Sequence, residues 1–274
     1  MRAFKNITFN CTCNNRCDYC GKPNYKIDTQ VVCKYVDKIF DKFGKKEMAY
    51  RITPYGEITI YPELLEYLEE KAEEGYVIEV VSNGMTALDS IKDNSMLRWI
   101  FSLDGHTVRM NHNRHFSQKT IDNILEAVFK FKAEIQCVYT DQTIEEINEF
   151  IKILKENNYS ELLSIFSARM KGTKSEYMID YRNLEPAIFL PPEKYFERWE
   201  KNYLYGICDK DCDFNKNGYE YHIADSKLFM LKCSCNNKIG DYIMDYGDEH
   251  LGKFECGPCF SHFAFNNSRK ILNE

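Results

Sequence analysis

Short apolar runs alternate with amphipathic segments along the first 167 residues of the chain. The runs have the length of buried strands, and in the segments between them apolar residues recur every three or four positions, as on one face of a helix. The predicted strands span 7–9, 48–52, 77–81, 99–103, 135–139 and 163–167. The predicted helices lie between successive strands, at 29–43, 62–72, 87–94, 121–128 and 143–154. The pattern therefore predicts six strand–helix units, without a clear helix after the sixth strand.

Local signals mark the ends of several predicted helices. Thr29 is the predicted N-cap of the first helix, and Gly44 its end, because glycine is favoured just past a helix C-terminus. Pro62 is predicted to begin the second helix, because proline lacks an N–H and the N–H groups of a first helical turn have no partner within the helix. Thr143 and Glu146 form a predicted capping box at the start of the last helix. These signals agree with the apolar periodicity, which supports the helical assignment.

The alternation of strands and helices predicts an α/β fold with a parallel sheet and right-handed crossovers. The pattern alone allows either a doubly wound sheet or an open barrel. The alternation stops near residue 170, and a polar, turn-rich segment then leads into a predicted helix at 193–205. Six of the twelve cysteines follow between residues 208 and 259. A core of 1–170, a connecting segment of 171–207 and a cysteine-rich appendage of 208–274 are therefore expected.

Composition narrows the classes of partner and compartment. The chain has a net charge of −6 and no Lys/Arg-rich run, so nucleic acid is not an expected partner. No apolar run approaches the roughly 20 residues of a membrane-spanning helix, so no membrane association is expected. The amino terminus does not resemble a signal peptide. Twelve cysteines are therefore expected in a reducing cytoplasm, with several of the thiols bound to metal.

Three cysteines follow the first predicted strand at intervals of four and three residues, Cys13, Cys17 and Cys20. Three thiolates suit a cubane iron–sulfur cluster, because they would hold three irons and leave the fourth open to a small chelating molecule. A structural zinc site would instead want four closed ligands. Cys11 falls outside this spacing and is interpreted as structural. The spacing therefore favours an open [4Fe–4S] cluster.

This spacing, with Tyr19 before the last cysteine, resembles the signature loop of the radical S-adenosylmethionine (radical SAM) enzymes. The resemblance implies an open iron that takes the amino and carboxylate groups of SAM. It also implies reductive cleavage of SAM to a 5′-deoxyadenosyl radical, which abstracts a hydrogen atom from a substrate C–H. The electron would come from a donor such as flavodoxin or ferredoxin. The implied core is a partial (βα)6 TIM barrel, with its active site at the carboxyl ends of the strands.

Two predicted strands end in motifs similar to SAM-binding segments of that family. Tyr55-Gly56-Glu57 is similar to the family's Gly-Gly-Glu motif, with Tyr55 in place of the first glycine. A backbone carbonyl and a carboxylate are suitable acceptors for the SAM ammonium group, which implicates Gly56 and Glu57. Ser82-Asn83-Gly84 looks like the family's Thr-Asn-Gly, which implicates Ser82 and Asn83.

The fourth predicted strand ends in a closer match. Ser102-Leu103-Asp104-Gly105 resembles the family's Ser-Leu-Asp-Gly segment, which would place Ser102 and Asp104 near the SAM ribose or carboxylate. Arg114 lies about where the subfamily has an arginine, and a guanidinium can pair bidentately with the methionyl carboxylate. The alternative for Arg114 is a solvated loop residue. Tyr19, in the cysteine loop, completes the set of residues expected to contact the cofactor.

The C-terminal cysteines resemble the SPASM/twitch extension of radical SAM enzymes, in which a hairpin between two cysteines and a later Cys-x2-Cys bind an auxiliary [4Fe–4S] cluster. The predicted hairpin turns at 224–227, and the shorter, one-cluster twitch form fits the cysteine count best. The preferred ligands are Cys212, Cys233, Cys256 and Cys259, with Cys208 and Cys235 as substitutes. A structural zinc ribbon is the alternative for the same cysteines.

The resemblance implies an enzyme that modifies either a peptide or a small molecule. Peptide modification, such as crosslinking, oxidation or epimerisation, is placed slightly ahead, because it is frequent among SPASM/twitch enzymes. The alternative is dehydrogenation or epimerisation of a small polar metabolite of the aminocyclitol or aminosugar type. An epimerase would need a hydrogen donor, and the surplus thiols of Cys208 or Cys235 could supply it. A zinc-binding interaction protein without catalysis is the hypothesis from a different class.

Overall fold

A computed structural model of the protein describes residues 3–20, 26–45, 48–86, 88, 94–161, 163–167, 220–224 and 227–231. In this part of the chain, strands and helices alternate as the apolar pattern predicts. The elements are β1 (Ala3–Asn10), α1 (Thr29–Phe43), β2 (Met48–Tyr55), α2 (Pro62–Glu73), β3 (Val77–Ser82), β4 (Leu97–Ser102), α3 (Gln118–Phe131), β5 (Glu134–Tyr139), α4 (Ile144–Glu156), β6 (Leu163–Ser167), β7 (Glu220–Ala224) and β8 (Lys227–Leu231). The predicted helix at 87–94 falls mostly, and the one at 193–205 entirely, outside the described residues.

The order of the strands decides between the two α/β architectures. The sheet runs β6-β5-β4-β3-β2-β1-β7-β8, and strands β1 to β6 pair in parallel with their neighbours in the sequence. A doubly wound sheet would reverse its strand order at a switch point. Here the order advances by one strand at a time without a reversal, which is the winding of a (βα) barrel. The predicted partial (βα)6 barrel is confirmed.

The two faces of this sheet differ in polarity. On the outer face, the Tyr50 ring lies 4.3 Å from Phe40 of α1, and the Tyr221 ring lies 5.7 Å from Phe43 of the same helix. Strand neighbours point to opposite faces, so Arg51 and His222 face the inside of the barrel. We call this side the inner face; its polar side chains include Asn6, Thr8, Arg51, Thr53, Glu79, Glu134 and His222.

A charged cluster lies on the inner face. The guanidinium of Arg51 lies 2.7 Å from Glu79, measured from Nε, and 3.5 Å from Glu134, measured from Nη2. Burial raises the pKa of Glu134 to about 7; Arg51 opposes this shift and Glu79 adds to it. Two carboxylates therefore share one guanidinium in a poorly solvated place, which favours protonation of one of them.

The helix ends follow local side-chain chemistry. The N-cap of α1 is Asp28 and not the predicted Thr29: the Asp28 carboxylate accepts hydrogen bonds from the backbone N–H groups of Gln30 (3.0 Å) and Val31 (3.4 Å). Aspartate ranks above threonine as an N-cap, so the helix begins at the threonine itself. Gly44 ends α1 with a φ of 71°, as predicted. The predicted capping box at the start of α4 is present.

The hairpin predicted near residues 224–227 is confirmed, and it joins the barrel sheet. Strands β7 and β8 pair antiparallel, with Ala224 opposite Lys227. Strand β7 in turn pairs in parallel with β1, from Asn6 opposite Glu220 to Phe9 opposite Ile223. The hairpin therefore extends the inner face of the barrel beyond β1. None of the described helices has the length and apolar composition needed to cross a membrane.

Candidate cofactor site

The cysteine loop leaves the carboxyl end of β1 and stays attached to the end of β2. The backbone N–H of Cys11 donates to the Tyr55 carbonyl at 3.2 Å, and the N–H of Glu57 donates to the Thr12 carbonyl at 3.0 Å. Cys11 itself is completely buried, and burial raises its pKa to about 12, with Glu57 adding to the shift. These contacts place the next residues, from Cys13 onward, over the carboxyl ends of the strands.

The three predicted cluster ligands are accessible and lie near one another. Cys13 and Cys17 are half-buried and Cys20 is exposed, and all three are free thiols. Burial raises the pKa of the Cys13 thiol, and it raises the pKa of the Cys17 thiol to about 11. The nearby Cys20 thiol raises the pKa of both further. Bound iron would reverse these shifts, because a coordinating thiol gives up its proton.

The cysteine loop can be compared with the requirements of a single ion and of a cluster. Across the described ranges, no three His, Cys, Asp or Glu side chains are grouped closely enough to hold one metal ion. A cubane cluster asks for a wider arrangement, because each cysteine binds a different iron. Cys20 raises the pKa of Cys13 and of Cys17, and Cys13 raises that of Cys17, so the three thiols lie near one another, as the predicted [4Fe–4S] cluster requires.

Amide donors point at two of the sulfurs. The backbone N–H of Asn15 donates to the Cys13 sulfur and the Asn15 side chain to the Cys17 sulfur, both at 3.4 Å. The side chain of Asn83 donates to the Cys13 sulfur at 3.7 Å. Hydrogen bonds to ligating sulfurs stabilise thiolates and tune the reduction potential of an iron–sulfur cluster. These donors are the second observation that fits the predicted cluster.

The carboxylate of Glu57 joins the ends of β2 and β3. One of its oxygens accepts from the hydroxyl of Ser82 (2.8 Å) and from the N–H and hydroxyl of Thr59 (3.0 and 2.7 Å). The other accepts from the N–H of Asn83 at 2.6 Å, and Glu57 is fully buried. Four protein donors thus fix this carboxylate at the carboxyl ends of β2 and β3.

Gly56 allows the turn after β2 to lie directly against the cysteine loop. A Cβ atom at this position would lie 2.3 Å from the Cys11 carbonyl oxygen and 2.5 Å from the Cys11 sulfur. Any other residue would push the two segments apart, so glycine is needed here for close approach of two backbones. Packing against the cysteine loop is therefore sufficient reason for a glycine at this position of the predicted motif.

The turn after β3 supports both the Glu57 carboxylate and the cysteine loop. Ser82 is buried, and its hydroxyl accepts from the N–H of Gly84 at 3.0 Å while donating to Glu57. The Asn83 side chain donates to the Asn14 side-chain oxygen at 2.8 Å, in addition to its contact with the Cys13 sulfur. Asn83 therefore connects the turn to the loop.

Asp104, after β4, organises the other side of the loop. Its carboxylate lies 2.7 Å from Nε of Arg114, and it accepts from the Tyr19 hydroxyl at 2.9 Å and the Val138 N–H at 2.8 Å. Arg114 is only 5% exposed, so the alternative of a solvated loop arginine is wrong. Burial lowers the pKa of Arg114, but Asp104 outweighs this and the net shift is upward. For Tyr19, burial acts in the opposite direction and raises the pKa of the hydroxyl.

The described residues of the predicted site thus form two groups around the cysteine loop. Gly56, Glu57, Ser82 and Asn83 lie on the side of Cys13, and Tyr19, Asp104 and Arg114 lie on the side of Cys17. Ser102 ends β4 half-buried, opposite Gln136 of β5. The predicted auxiliary ligands Cys208, Cys212, Cys233, Cys235, Cys256 and Cys259 lie outside the described residues.

Two asparagines of the site were not among the residues predicted from the sequence. Asn15 donates to both sulfurs and to the Arg114 carbonyl (2.9 Å); its place inside the Cys-x3-Cys interval was an available signal. Asn111 is completely buried, accepts from the Asp104 N–H at 2.9 Å and donates to the carbonyls of Gly105 and Thr107. Its partners are set by the shape of the loop, and no local pattern indicates them.

Known proteins resemble this chain in sequence and in fold. Residues 7–154 match the family model of the Radical SAM superfamily. The chain is 36% identical, over 274 residues, to neomycin C epimerase of Streptomyces fradiae, covering 99% of this chain and 92% of that protein.

The fold also occurs in solved structures of SuiB and anSMEcpe. Streptococcus suis SuiB bound to precursor peptide SuiA superposes with a TM-score of 0.65 at 13% identity, covering 92% of this chain. Native anSMEcpe with bound AdoMet gives a TM-score of 0.50 at 19% identity, covering 74% of this chain and 62% of that one. The chain spans 64% of the length of SuiB. At these identities the likeness extends to the fold alone.

Proposed function

Because the chain belongs to the radical SAM superfamily and is an enzyme of that family, we propose that it epimerises a small aminosugar compound of the aminoglycoside class. One observation carries the proposal: the 36% identity to neomycin C epimerase extends over 99% of this chain and 92% of that protein. Peptide modification was the first expectation from the resemblance to SPASM/twitch enzymes. Similarity to neomycin C epimerase favours the alternative of a small-molecule substrate. Membership of a family of enzymes disfavours the hypothesis of a non-catalytic zinc-binding protein.

We assign the SAM-binding [4Fe–4S] cluster to Cys13, Cys17 and Cys20. When bound, this cluster and SAM supply a 5′-deoxyadenosyl radical that removes a hydrogen atom from a substrate C–H. The amides of Asn15 and Asn83 hold the ligating sulfurs by hydrogen bonds. The remaining guanidinium nitrogens of Arg114, whose Nε faces Asp104, suit the methionyl carboxylate of SAM.

Epimerisation needs a second residue that returns a hydrogen atom to the opposite face of the substrate radical. A cysteine thiol is suited to this step, and Cys208 and Cys235 are surplus to the preferred auxiliary-cluster ligands Cys212, Cys233, Cys256 and Cys259. The transfer breaks the S–H bond, forms the new C–H bond and leaves a thiyl radical. One electron from a flavodoxin- or ferredoxin-type donor, together with one proton, restores the thiol.

The net charge of the protein also suits a substrate with several ammonium groups. The whole chain has a net charge of −6. A negative protein attracts cationic ligands to its openings and raises their rate of association.

The proposal is tested by incubating the reconstituted, reduced enzyme with SAM and neomycin C, followed by a panel of other aminoglycosides. The expected product has the mass of its substrate but a different NMR spectrum, and one 5′-deoxyadenosine forms per product. A product that has lost two hydrogens would indicate a dehydrogenase. If SAM is cleaved and no aminoglycoside changes, the proposed substrate class is wrong.

A further inference from the structure

Tyr55 occupies a special place at the mouth of the barrel. It stands where the Gly-Gly-Glu pattern has its first glycine, and it is the last residue of β2. Along this strand Arg51 and Thr53 face inward, where they contact Glu79 and Asn6 respectively. Tyr55 has the same parity and is half-buried, so its ring projects from the inner face at the carboxyl end.

The Tyr55 ring is supported from the neighbouring strands. Its centroid lies 5.7 Å from that of the His222 imidazole, with an interplanar angle of 43°. Nδ1 of His222 lies 2.9 Å from the Thr8 hydroxyl, and both of these residues are 1% exposed. Because β7 pairs with β1, the hairpin brings His222 beside Thr8 and next to the tyrosine. A hydrogen-bonded pair thus fixes the surface on which the ring rests.

The ring also lies next to the cofactor site. The Tyr55 carbonyl accepts from Cys11 at the start of the cysteine loop, and the next residue, Gly56, packs against Cys11. Glu57 follows and binds Asn83, which contacts the Cys13 sulfur. The Tyr55 side chain therefore projects into the barrel at the rim that carries the proposed cluster, where a substrate must lie to react.

We propose that Tyr55 contacts the substrate and selects an amino sugar, with His222 and Thr8 acting as positioning residues for its ring. The inference rests on the proposed function. An aromatic face attracts an ammonium group through its quadrupole and packs well against the C–H face of a sugar. A glycine at this position, as in the family pattern, would offer neither interaction.

The test compares steady-state kinetics with neomycin C for the wild type, Tyr55→Leu and Tyr55→Phe. Loss of a cation–π contact should raise KM in Tyr55→Leu by about 3- to 30-fold, with a much smaller change in kcat. Tyr55→Phe keeps the ring and should stay within about threefold of the wild-type KM. Iron content and SAM affinity, measured separately, show whether each variant is assembled.

Tyr139→Leu is the matched control, because Tyr139 is also the last residue of a strand, β5. Unlike Tyr55, it lies on the outer face, with the same parity as the buried Ile135 and Cys137. Its KM for neomycin C should not change. His222→Ala should raise KM in the same direction as Tyr55→Leu, and the double variant should be less than additive, since His222 acts through Tyr55.

The outcomes separate this inference from the proposed function. If the wild type converts no aminoglycoside, the proposed function fails whatever the variants do. If it converts neomycin C and Tyr55→Leu keeps the wild-type KM, the role of Tyr55 is wrong. If Tyr55→Leu fails to assemble its cluster, the other two variants test the inference. An unchanged KM in His222→Ala would contradict it, and so would a KM raised more than tenfold in Tyr55→Phe.

Discussion

The carboxylate of Asp104 lies 2.7 Å from Nε of Arg114, and both side chains are almost completely buried. The same carboxylate accepts from Tyr19 of the cysteine loop and from Val138 of β5. One aspartate thereby joins three separate segments at the cofactor site. Breaking a buried ion pair by removing one charge leaves the other uncompensated, which is strongly destabilising.

Asp104→Asn should therefore lower the free energy of unfolding by about 3 kcal/mol, because Arg114 remains buried without a counter-charge. It should also weaken SAM binding, since Tyr19 and Arg114 lose their common partner. Urea denaturation and a SAM titration measure the two effects. Asp122→Asn, on the exposed side of α3, is the control and should change neither. Unchanged stability in Asp104→Asn would mean that the ion pair is not formed.

Gly56→Ala should displace the cysteine loop, because the new methyl would overlap the Cys11 carbonyl and sulfur. The expected cost is about 1–3 kcal/mol of stability, together with a lower iron content after reconstitution. Gly44→Ala is the comparison, since nothing lies within 4 Å of its Cβ and only the backbone strain at a φ of 71° remains. Equal iron content in both variants would show that the close approach is unimportant.

Cys13→Ala should lose the SAM-binding cluster and all reductive cleavage of SAM. Cys11→Ala should keep both, because the Cys11 side chain is buried beneath Gly56 instead of opening to the loop; it should lose about 1 kcal/mol of stability from the deleted sulfur. Iron content and 5′-deoxyadenosine formation measure the difference. Retained cleavage in Cys13→Ala would refute the ligand assignment.

Much of the fold was predictable because the barrel repeats one local pattern. The strand at 163–167 and the capping box of α4 were predicted correctly, since strand hydrophobicity and cap chemistry are local properties. The cap of α1 was misplaced by one residue, because Asp28 and Thr29 are both common caps and the stronger preference of aspartate for this position was not applied. Strand order was not predictable from the pattern, because it depends on how the helices wind.

The site was predictable only as far as its motifs. Arg114 was placed by resemblance, yet its burial against Asp104 depends on the fold of the loop after β4. The contact of His222 with Thr8 joins residues 214 positions apart, so no local signal reveals it. Pairing of β7 with β1 brings these residues together, and only the three-dimensional structure shows that the hairpin completes the inner face.

Stability should depend on pH through Glu134, whose pKa rises from 4.5 to about 7 mainly because of burial. The folded protein holds this proton more tightly than the unfolded chain, so its stabilising effect is complete below pH 4.5 and is lost as the pH rises through about 7. Glu134→Gln should flatten this decline and be about 1–3 kcal/mol more stable than the wild type above pH 7.

Anaerobic urea denaturation at several pH values measures this effect. Glu126→Gln, on the exposed side of α3, is the control and should retain the wild-type dependence on pH. The assignment would be contradicted if the wild type became more stable between pH 4.5 and 7 and this increase were absent in Glu134→Gln. The sign would then be that of a carboxyl group with a lowered pKa.

Deuterium incorporation is the most direct test of the proposed epimerisation. The reduced enzyme is incubated with SAM and neomycin C in D2O, and the recovered aminoglycoside is analysed by mass spectrometry and NMR. Since a thiol exchanges its hydrogen with solvent, the epimer should carry one deuterium at the inverted carbon, and 5′-deoxyadenosine should carry the hydrogen removed from the substrate. An epimer without solvent deuterium, or 5′-deoxyadenosine formed with no change in the aminoglycoside, would contradict the proposal.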